Sequence, residues 1–226
     1  MSGAANADVA HAAKMDAAYA LQRHVYDLTR KCYLLGRDRL IHRLEPPVNG
    51  HVLEIGCGTA RNLARAARRY PGARFYGIDI STAMLRTARA KLAAQGLQRQ
   101  CRLALGDAAA FSAQGLFGRT AFDRIFASYT LSMIPEWELA LDRACALLAP
   151  GGALHVVDFG QQEQLPRWFA RLLGAWLARF HVTPRADLFE VSEAFAAKHG
   201  LICACESLSR DYARSVVLTR RPITPS

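Results

Sequence analysis

The run Val52-Leu53-Glu54-Ile55-Gly56-Cys57-Gly58-Thr59-Ala60 places an acid and two glycines where a short apolar segment gives way to a helical pattern. Glycine at such a turn lets the backbone pass close to a ligand with no Cβ in the way. A dinucleotide site wants a third glycine, in Gly-x-Gly-x-x-Gly, to close against the helix, and that position is Arg61 here. Glu54, ahead of the glycines, suits a ligand that carries an ammonium group rather than a pyrophosphate. Two further acids follow. Asp79 ends Phe75-Tyr76-Gly77-Ile78-Asp79, where a carboxylate accepts from both hydroxyls of a ribose. Asp107, in Gly106-Asp107-Ala108, stands where an acid accepts from the exocyclic amine of adenine. Singly each has a plainer reading, as when an Asp before Ser81-Thr82 caps a helix. In this order and at this spacing they describe one site.

Alternating elements must carry those residues. Apolar runs at 51–55, 74–78, 101–105, 122–127 and 153–157 read as buried strands, and 61–70, 82–95 and 136–148 as amphipathic helices. Pro150-Gly151-Gly152 is expected to end the last of these helices and turn into the next strand. Strands alternating with helices pair in parallel with helices on both faces, and ligands bind at the strands' carboxyl ends. Further on, 165–180 and 186–199 read as helices, and 201–207 and 212–218 as strands joined by a short polar link, hence antiparallel. Residues 15–43 form one helical pattern, ended by Pro46-Pro47 and Asn49-Gly50. The expected fold is α/β and Rossmann-like, a mostly parallel seven-stranded sheet with an antiparallel terminal hairpin strand. Residues 1–50 would be a helical lid or cap and 51–226 the main domain, with a helical insertion at about 160–185.

The 226 residues suffice for one core. No apolar run is long enough for a membrane span, and the N-terminus lacks a signal-peptide pattern, so a cytoplasmic protein is expected. Six cysteines without a Cys-x-x-Cys pair argue for reduced thiols, and no His/Asp/Glu cluster suggests a metal. The net charge of +10 favours an anionic partner (nucleic acid, acidic small molecule or lipid surface), or reflects an arginine-rich genome.

These residues resemble the class I S-adenosylmethionine-dependent methyltransferases over about residues 19–218. The family pattern acid-x-Gly-x-Gly-x-Gly is met at Glu54, Gly56 and Gly58, with Ala60 in place of the last glycine. The resemblance implies S-adenosylmethionine as cofactor and S-adenosylhomocysteine as product. It implies a cradle of Glu54, Gly56, Cys57, Gly58, Thr59, Ala60 and Asn62, with Asp79 on the ribose, Ile80 and Met84 about the adenine, Asp107 and Ala108 at its edge, and Ser128 near the methionine part. Tyr26, in the aromatic and basic run 23–41, would close over the cofactor.

The substrate is read from two additions to that core. Besides the N-terminal run there is the helix after the fifth strand, which gathers Phe169, Leu172, Leu173, Trp176, Leu177 and Phe180 on one face, with Arg167 and Arg171 opposite. Such a helix either packs on the sheet or lies in a membrane interface. Both segments are similar to those of bacterial betaine-lipid N-methyltransferases, which trimethylate the amino group of diacylglyceryl homoserine. The likeness lies in Tyr26-Asp27-Leu28-Thr29-Arg30-Lys31, Gly36-Arg37-Asp38-Arg39, Leu131-Ser132-Met133-Ile134-Pro135 and Asp158-Phe159-Gly160. It implies a lipid or small amphiphilic substrate, peripheral contact with the inner membrane through residues 165–180, and a 3-amino-3-carboxypropyl transferase as functional partner. Asp158 is then the preferred contact to the amine, with Tyr129 and Ser132 as further catalytic candidates; His155 reads as core, and Tyr26 and Tyr33 as an aromatic wall. The competing readings are a methyltransferase for a quinone, phosphatidylethanolamine or another amphiphile, and a non-catalytic protein that keeps the pocket. A nucleic-acid enzyme is disfavoured, for no Asn/Asp-Pro-Pro-Tyr type motif is present.

Overall fold

The computed structural model describes residues 34–222. Most of the expected lid, including Tyr26 and Tyr33, lies outside the described residues.

Five parallel strands form the larger part of the sheet: β1 (His51–Ile55), β2 (Arg74–Asp79), β3 (Cys101–Leu105), β4 (Phe122–Ser128) and β5 (Leu148–Phe159). The helices among them are α1 (Arg37–His42), α2 (Arg61–Arg69), α3 (Thr82–Ala94), α4 (Ala113–Phe117) and α5 (Trp137–Ala146). After β5 come α6 (Arg167–Arg179), α7 (Leu188–His199), β6 (Leu201–Leu208) and β7 (Ala213–Arg220). The sheet order is β3-β2-β1-β4-β5-β7-β6, and β7 runs antiparallel to both neighbours. This is the mostly parallel seven-stranded sheet with an antiparallel terminal hairpin strand that the sequence leads one to expect. The order reverses between β1 and β4, so the crevice outside their carboxyl ends is the natural ligand site.

Both faces of the sheet are buried, which is why the strands read as near-continuous apolar runs. The two-residue period sorts their side chains into two cores. Leu53, Ile55, Tyr76, Ile78, Ile125, Leu154 and Val156 face α5 and α7. Val52, Phe75, Phe126, Val157 and Phe159 face α1, α2, α3 and α6.

The structure departs from local pattern in three places. The helical pattern of 15–43 is interrupted at Gly36, which takes a left-handed conformation (φ 79°), and α1 starts only at Arg37. A Cβ on Gly36 would stand 2.7 Å from Leu208 Cδ1 and 3.1 Å from Val157 Cγ2, so the close approach of the sheet leaves no room for a side chain there. Pro150-Gly151-Gly152 is not the turn into β5. The strand begins at Leu148, and the register jumps from Phe122↔Leu148 to Arg124↔Ala153, leaving the glycines as a bulge inside it. Leu172, grouped by its spacing with Phe169, Leu173, Trp176, Leu177 and Phe180 on one face of α6, is instead 64% exposed beside Trp168 at 65%. Leu177 is buried, and Phe169, Leu173, Trp176 and Phe180 pack inward.

Gly160 ends β5 where the chain crosses the β6–β7 turn. A Cβ there would meet the Asp211 carbonyl oxygen at 2.2 Å and its carbon at 2.8 Å. Backbone cannot yield as a side chain tip does, so Gly160→Ala is expected to destabilise by about 2–3 kcal/mol. For a domain of this size that lowers Tm by roughly 4–12 °C. An unchanged Tm in a thermal melt would refute this crossing as a constraint.

Candidate functional site

The turn out of β1 is built from alternating left-handed residues: Gly56 (φ 65°), Gly58 (φ 51°) and Ala60 (φ 56°). The two glycines are glycine for different reasons. At Gly56 a Cβ would lie 2.2 Å from Thr130 Cγ2, whereas at Gly58 nothing comes within 4 Å. Gly58 therefore borders open space. Ala60 is fully buried and caps α2 in a conformation that disfavours a Cβ by about 1–2 kcal/mol. The turn is closed by Ala60 N–H to the Cys57 carbonyl at 2.8 Å, and Cys57 N–H is tied to the Ile78 carbonyl at 2.9 Å. Cys57 is buried against Gly77, where a Cβ would sit 3.0 Å from its Sγ.

Asp79 joins this turn to the next. Its Oδ2 accepts from Gly58 N–H at 2.7 Å and its Oδ1 from Ser81 N–H at 2.9 Å. Ser81, not Asp79, caps α3, through the Met84 N–H at 3.3 Å. Ile80 is 53% exposed at the end of β2, and Leu105 is equally exposed at the end of β3, so two apolar side chains flank the crevice there. Leu105 escaped the sequence reading; its place as last residue of a strand was the available signal. Asp107 is exposed and its Oδ1 accepts from Ala109 N–H at 2.9 Å, while Ala108 and Met84 are buried.

Glu54 lies beneath the turn, 1% exposed. Its Oε1 accepts from Asn62 Nδ2 at 3.0 Å, and its Oε2 is buried with no hydrogen-bond partner among the described residues. Burial lifts this carboxyl to about 8, against the pull of the Asn62 hydrogen bond; Asp79 adds to the rise and Arg37 opposes it. Ser128 Oγ, at the end of β4, is likewise buried and unpartnered. Thr59 is buried within the same loop.

The expected catalytic trio is brought together on the other side of the crevice, with its polar atoms turned into the protein. Asp158 is 1% exposed; its Oδ2 accepts from Ser132 N–H at 3.1 Å and its Oδ1 from Phe159 N–H at 2.8 Å. Burial raises this carboxyl above its ordinary value, opposed by the hydrogen bonds from Ser132 and Phe159. Tyr129 takes a left-handed φ of 54°, stacks edge-on to Phe159 and donates its hydroxyl to the Leu35 carbonyl at 2.6 Å. Ser132 sits in a 3-10 turn (Leu131–Met133), and Arg185 fixes that turn by donating to the carbonyls of Leu131 and Ile134 at 3.1 and 2.6 Å. No local signal marks Arg185, because its partners lie more than fifty residues back. His155 is buried, and burial holds its ring down at about 4.

Comparison with known proteins places this geometry. Residues 52–152 match the family described as a methyltransferase domain. A trans-aconitate 2-methyltransferase of Variovorax paradoxus is 35% identical over 138 residues, 61% of this chain and 49% of that protein. A demethylmenaquinone methyltransferase of Thermus thermophilus is 30% identical over 139 residues, 59% of this chain and 60% of that one. The chain spans less than half the length of the trans-aconitate methyltransferases it matches. Among solved structures, a Haemonchus contortus phosphoethanolamine N-methyltransferase in complex with S-adenosylmethionine aligns with a TM-score of 0.66 at 18% identity, covering 82% of this chain and 52% of that one. Residues 52–152 thus match a methyltransferase domain, and the chain shares its fold with an enzyme solved in complex with S-adenosylmethionine.

Proposed function

We propose that the protein is an S-adenosylmethionine-dependent methyltransferase for a small amphiphilic acceptor, and that the acceptor group is the amine of a lipid headgroup such as diacylglyceryl homoserine. The observation that carries the transfer reading is the half-partnered Glu54 carboxyl, buried under a loop whose Gly58 opens onto empty space. An ammonium group is the partner such a carboxyl lacks, and the amino-acid end of S-adenosylmethionine provides one. Asp79 keeps lone pairs for the ribose hydroxyls after accepting from Gly58 and Ser81. Ile80 and Leu105 offer the adenine apolar walls, and Asp107 an acceptor for its amine. When bound, the cofactor supplies an electrophilic methyl group.

Asp158, Ser132 and Tyr129 act in this reading as positioning residues, holding the edge of β4 where the acceptor must lie. Placing an amine in line with the methyl supplies much of the rate. The amine is largely protonated near neutral pH, so turnover follows its free fraction. The headgroup reading draws support from the outward face of α6, where Trp168 and Leu172 stand exposed among Arg167, Arg171 and Arg179. A basic helix with exposed aromatic and aliphatic groups suits a peripheral site on an anionic membrane. The demethylmenaquinone methyltransferase relative favours a second reading, a quinone acceptor.

With labelled S-adenosylmethionine and a total lipid extract, label is expected in a zwitterionic lipid. Label confined to quinones overturns the headgroup reading, and absence of cofactor binding by calorimetry overturns both. The two glycines separate fold from binding. Gly56→Ala is expected to lose about 2 kcal/mol or more of stability through the Thr130 clash. Gly58→Ala, with space around it, is expected to lose about 1 kcal/mol yet bind S-adenosylhomocysteine at least tenfold more weakly; equal affinity for wild type and Gly58→Ala would place the ligand elsewhere. A cation prefers the ionised Glu54, whose carboxyl is raised to about 8, so binding below that pH draws a proton off it. Calorimetry at pH 6.5 in buffers of different ionisation enthalpy is expected to show proton release that Glu54→Gln reduces. The same shift makes Glu54 oppose folding increasingly as pH rises from about 4.5 to 8, so Glu54→Gln gains stability relative to wild type toward pH 8.

A further inference from the structure

A cavity of about 560 Å³ lies between residues 34–39, the first residue of α2 and the end of β6. Its charged lining is Arg37, Asp38, Arg39, Arg61 and Glu206. The acids are already engaged. Glu206 is paired with Arg39 at 2.7 Å and Arg43 at 3.4 Å, and Asp38 with Arg65 at 2.8 Å. Arg61 is not matched in this way: its Nη1 is buried with no hydrogen-bond partner among the described residues. Burying a guanidinium N–H without an acceptor is unfavourable, and a turn of the Arg61 side chain that brings its guanidinium onto an oxyanion in the cavity relieves it. Arg61 is also the first residue of the nine-residue α2, whose N-terminal dipole adds to the attraction.

The cavity's position bears on which ligand that oxyanion belongs to, for none of Glu54, Gly58, Asp79 and Asp107 lines it. β6 runs parallel to β5, so Leu208 stands at the same carboxyl-end side of the sheet as Glu54 and Ser128. From β1 to β6 is four strand steps, roughly 19 Å. The cavity extends along that direction, away from β2 and β3, which carry Asp79 and Asp107. Leu34, Leu35 and Leu208 line it together with the arginines, so it offers a charged grip beside apolar surface.

We infer that this cavity seats a carboxylate or phosphate group of the methyl acceptor, an anionic amphiphile, with Arg61 as its principal contact. The word acceptor rests on the methyltransferase reading; the oxyanion site itself does not. Dodecyl phosphate, kept below its critical micelle concentration, serves as the probe, titrated calorimetrically into the full chain with and without saturating S-adenosylhomocysteine. Dodecyl maltoside is the neutral control. Dodecyl phosphate is expected to bind and the maltoside not. Arg61→Gln is expected to weaken dodecyl phosphate at least tenfold while S-adenosylhomocysteine affinity stays within twofold, and Arg61→Lys to restore part of the loss. Ser209→Glu, which adds a negative charge to another wall of the cavity, is expected to weaken the probe independently of any folding effect at Arg61. Absence of dodecyl phosphate binding, or binding unaffected by both variants, overturns the inference. So does an Arg61→Gln loss that falls equally on S-adenosylhomocysteine, which would assign the arginine to the cofactor's carboxylate. Failure of the wild type to bind S-adenosylhomocysteine while still binding the probe overturns the methyltransferase reading and leaves the oxyanion site standing.

Discussion

The hydrogen bond from Gly58 N–H to the Asp79 carboxylate is the contact on which the site depends. It couples the turn after β1 to the turn after β2, and so fixes two neighbouring strand ends as one surface. The turn it holds is conformationally demanding, with left-handed residues at Gly56, Gly58 and Ala60. Such a run is unfavourable by itself and persists only where its surroundings over-determine it. Here Thr130 fills the space above Gly56, Cys57 is locked against Gly77, and α2 grows directly from Ala60. Glu54 is trapped below this arrangement in a place where its charge is disfavoured, which is what makes it responsive to a cation.

The opposite wall uses a different principle. There the chain has little regular structure between β4 and α5, and buried and half-buried polar groups take over the task of ordering it. Asp158 gathers the backbone N–H groups of Ser132 and Phe159, and Arg185 gathers the carbonyls of Leu131 and Ile134. Asp211 does the same beneath Gly160, accepting from Gln161 N–H and pairing with Arg214 at 2.9 Å. Breaking a buried network of this kind leaves charges without partners, so each member is effectively fixed once the others are present.

The surface charge is distributed in keeping with this division. Arginines in the 37–43 segment and at Arg61 border the cavity beside β6, and those on α6 surround Trp168 and Leu172. Both places carry positive charge, which attracts diffusing anions.

The sequence by itself determined what is encoded over a few residues. Buried strands show as apolar runs, and the glycine turn shows as an acid and two glycines, because a strand's burial and a turn's φ are local requirements. The positions of Asp79, last in β2, and of Asp107, two residues past β3, could be read for the same reason, from the apolar runs ahead of them. Only the tertiary structure decided which groups those residues meet. Tyr129 and Asp158 looked like polar groups offered to a substrate; one donates to the carbonyl of Leu35, 94 residues away, and the other holds the backbone of a turn 26 residues back. Gly36 has to lack a side chain because Leu208 and Val157 approach it, and Pro150-Gly151-Gly152 becomes a bulge because β4 and β5 pair on both sides of it. Trp168 and Leu172 face outward because the sheet can cover only one side of α6. Such partners are set by strand order and by the close packing of the two cores, and neither quantity is written in any short stretch of the chain.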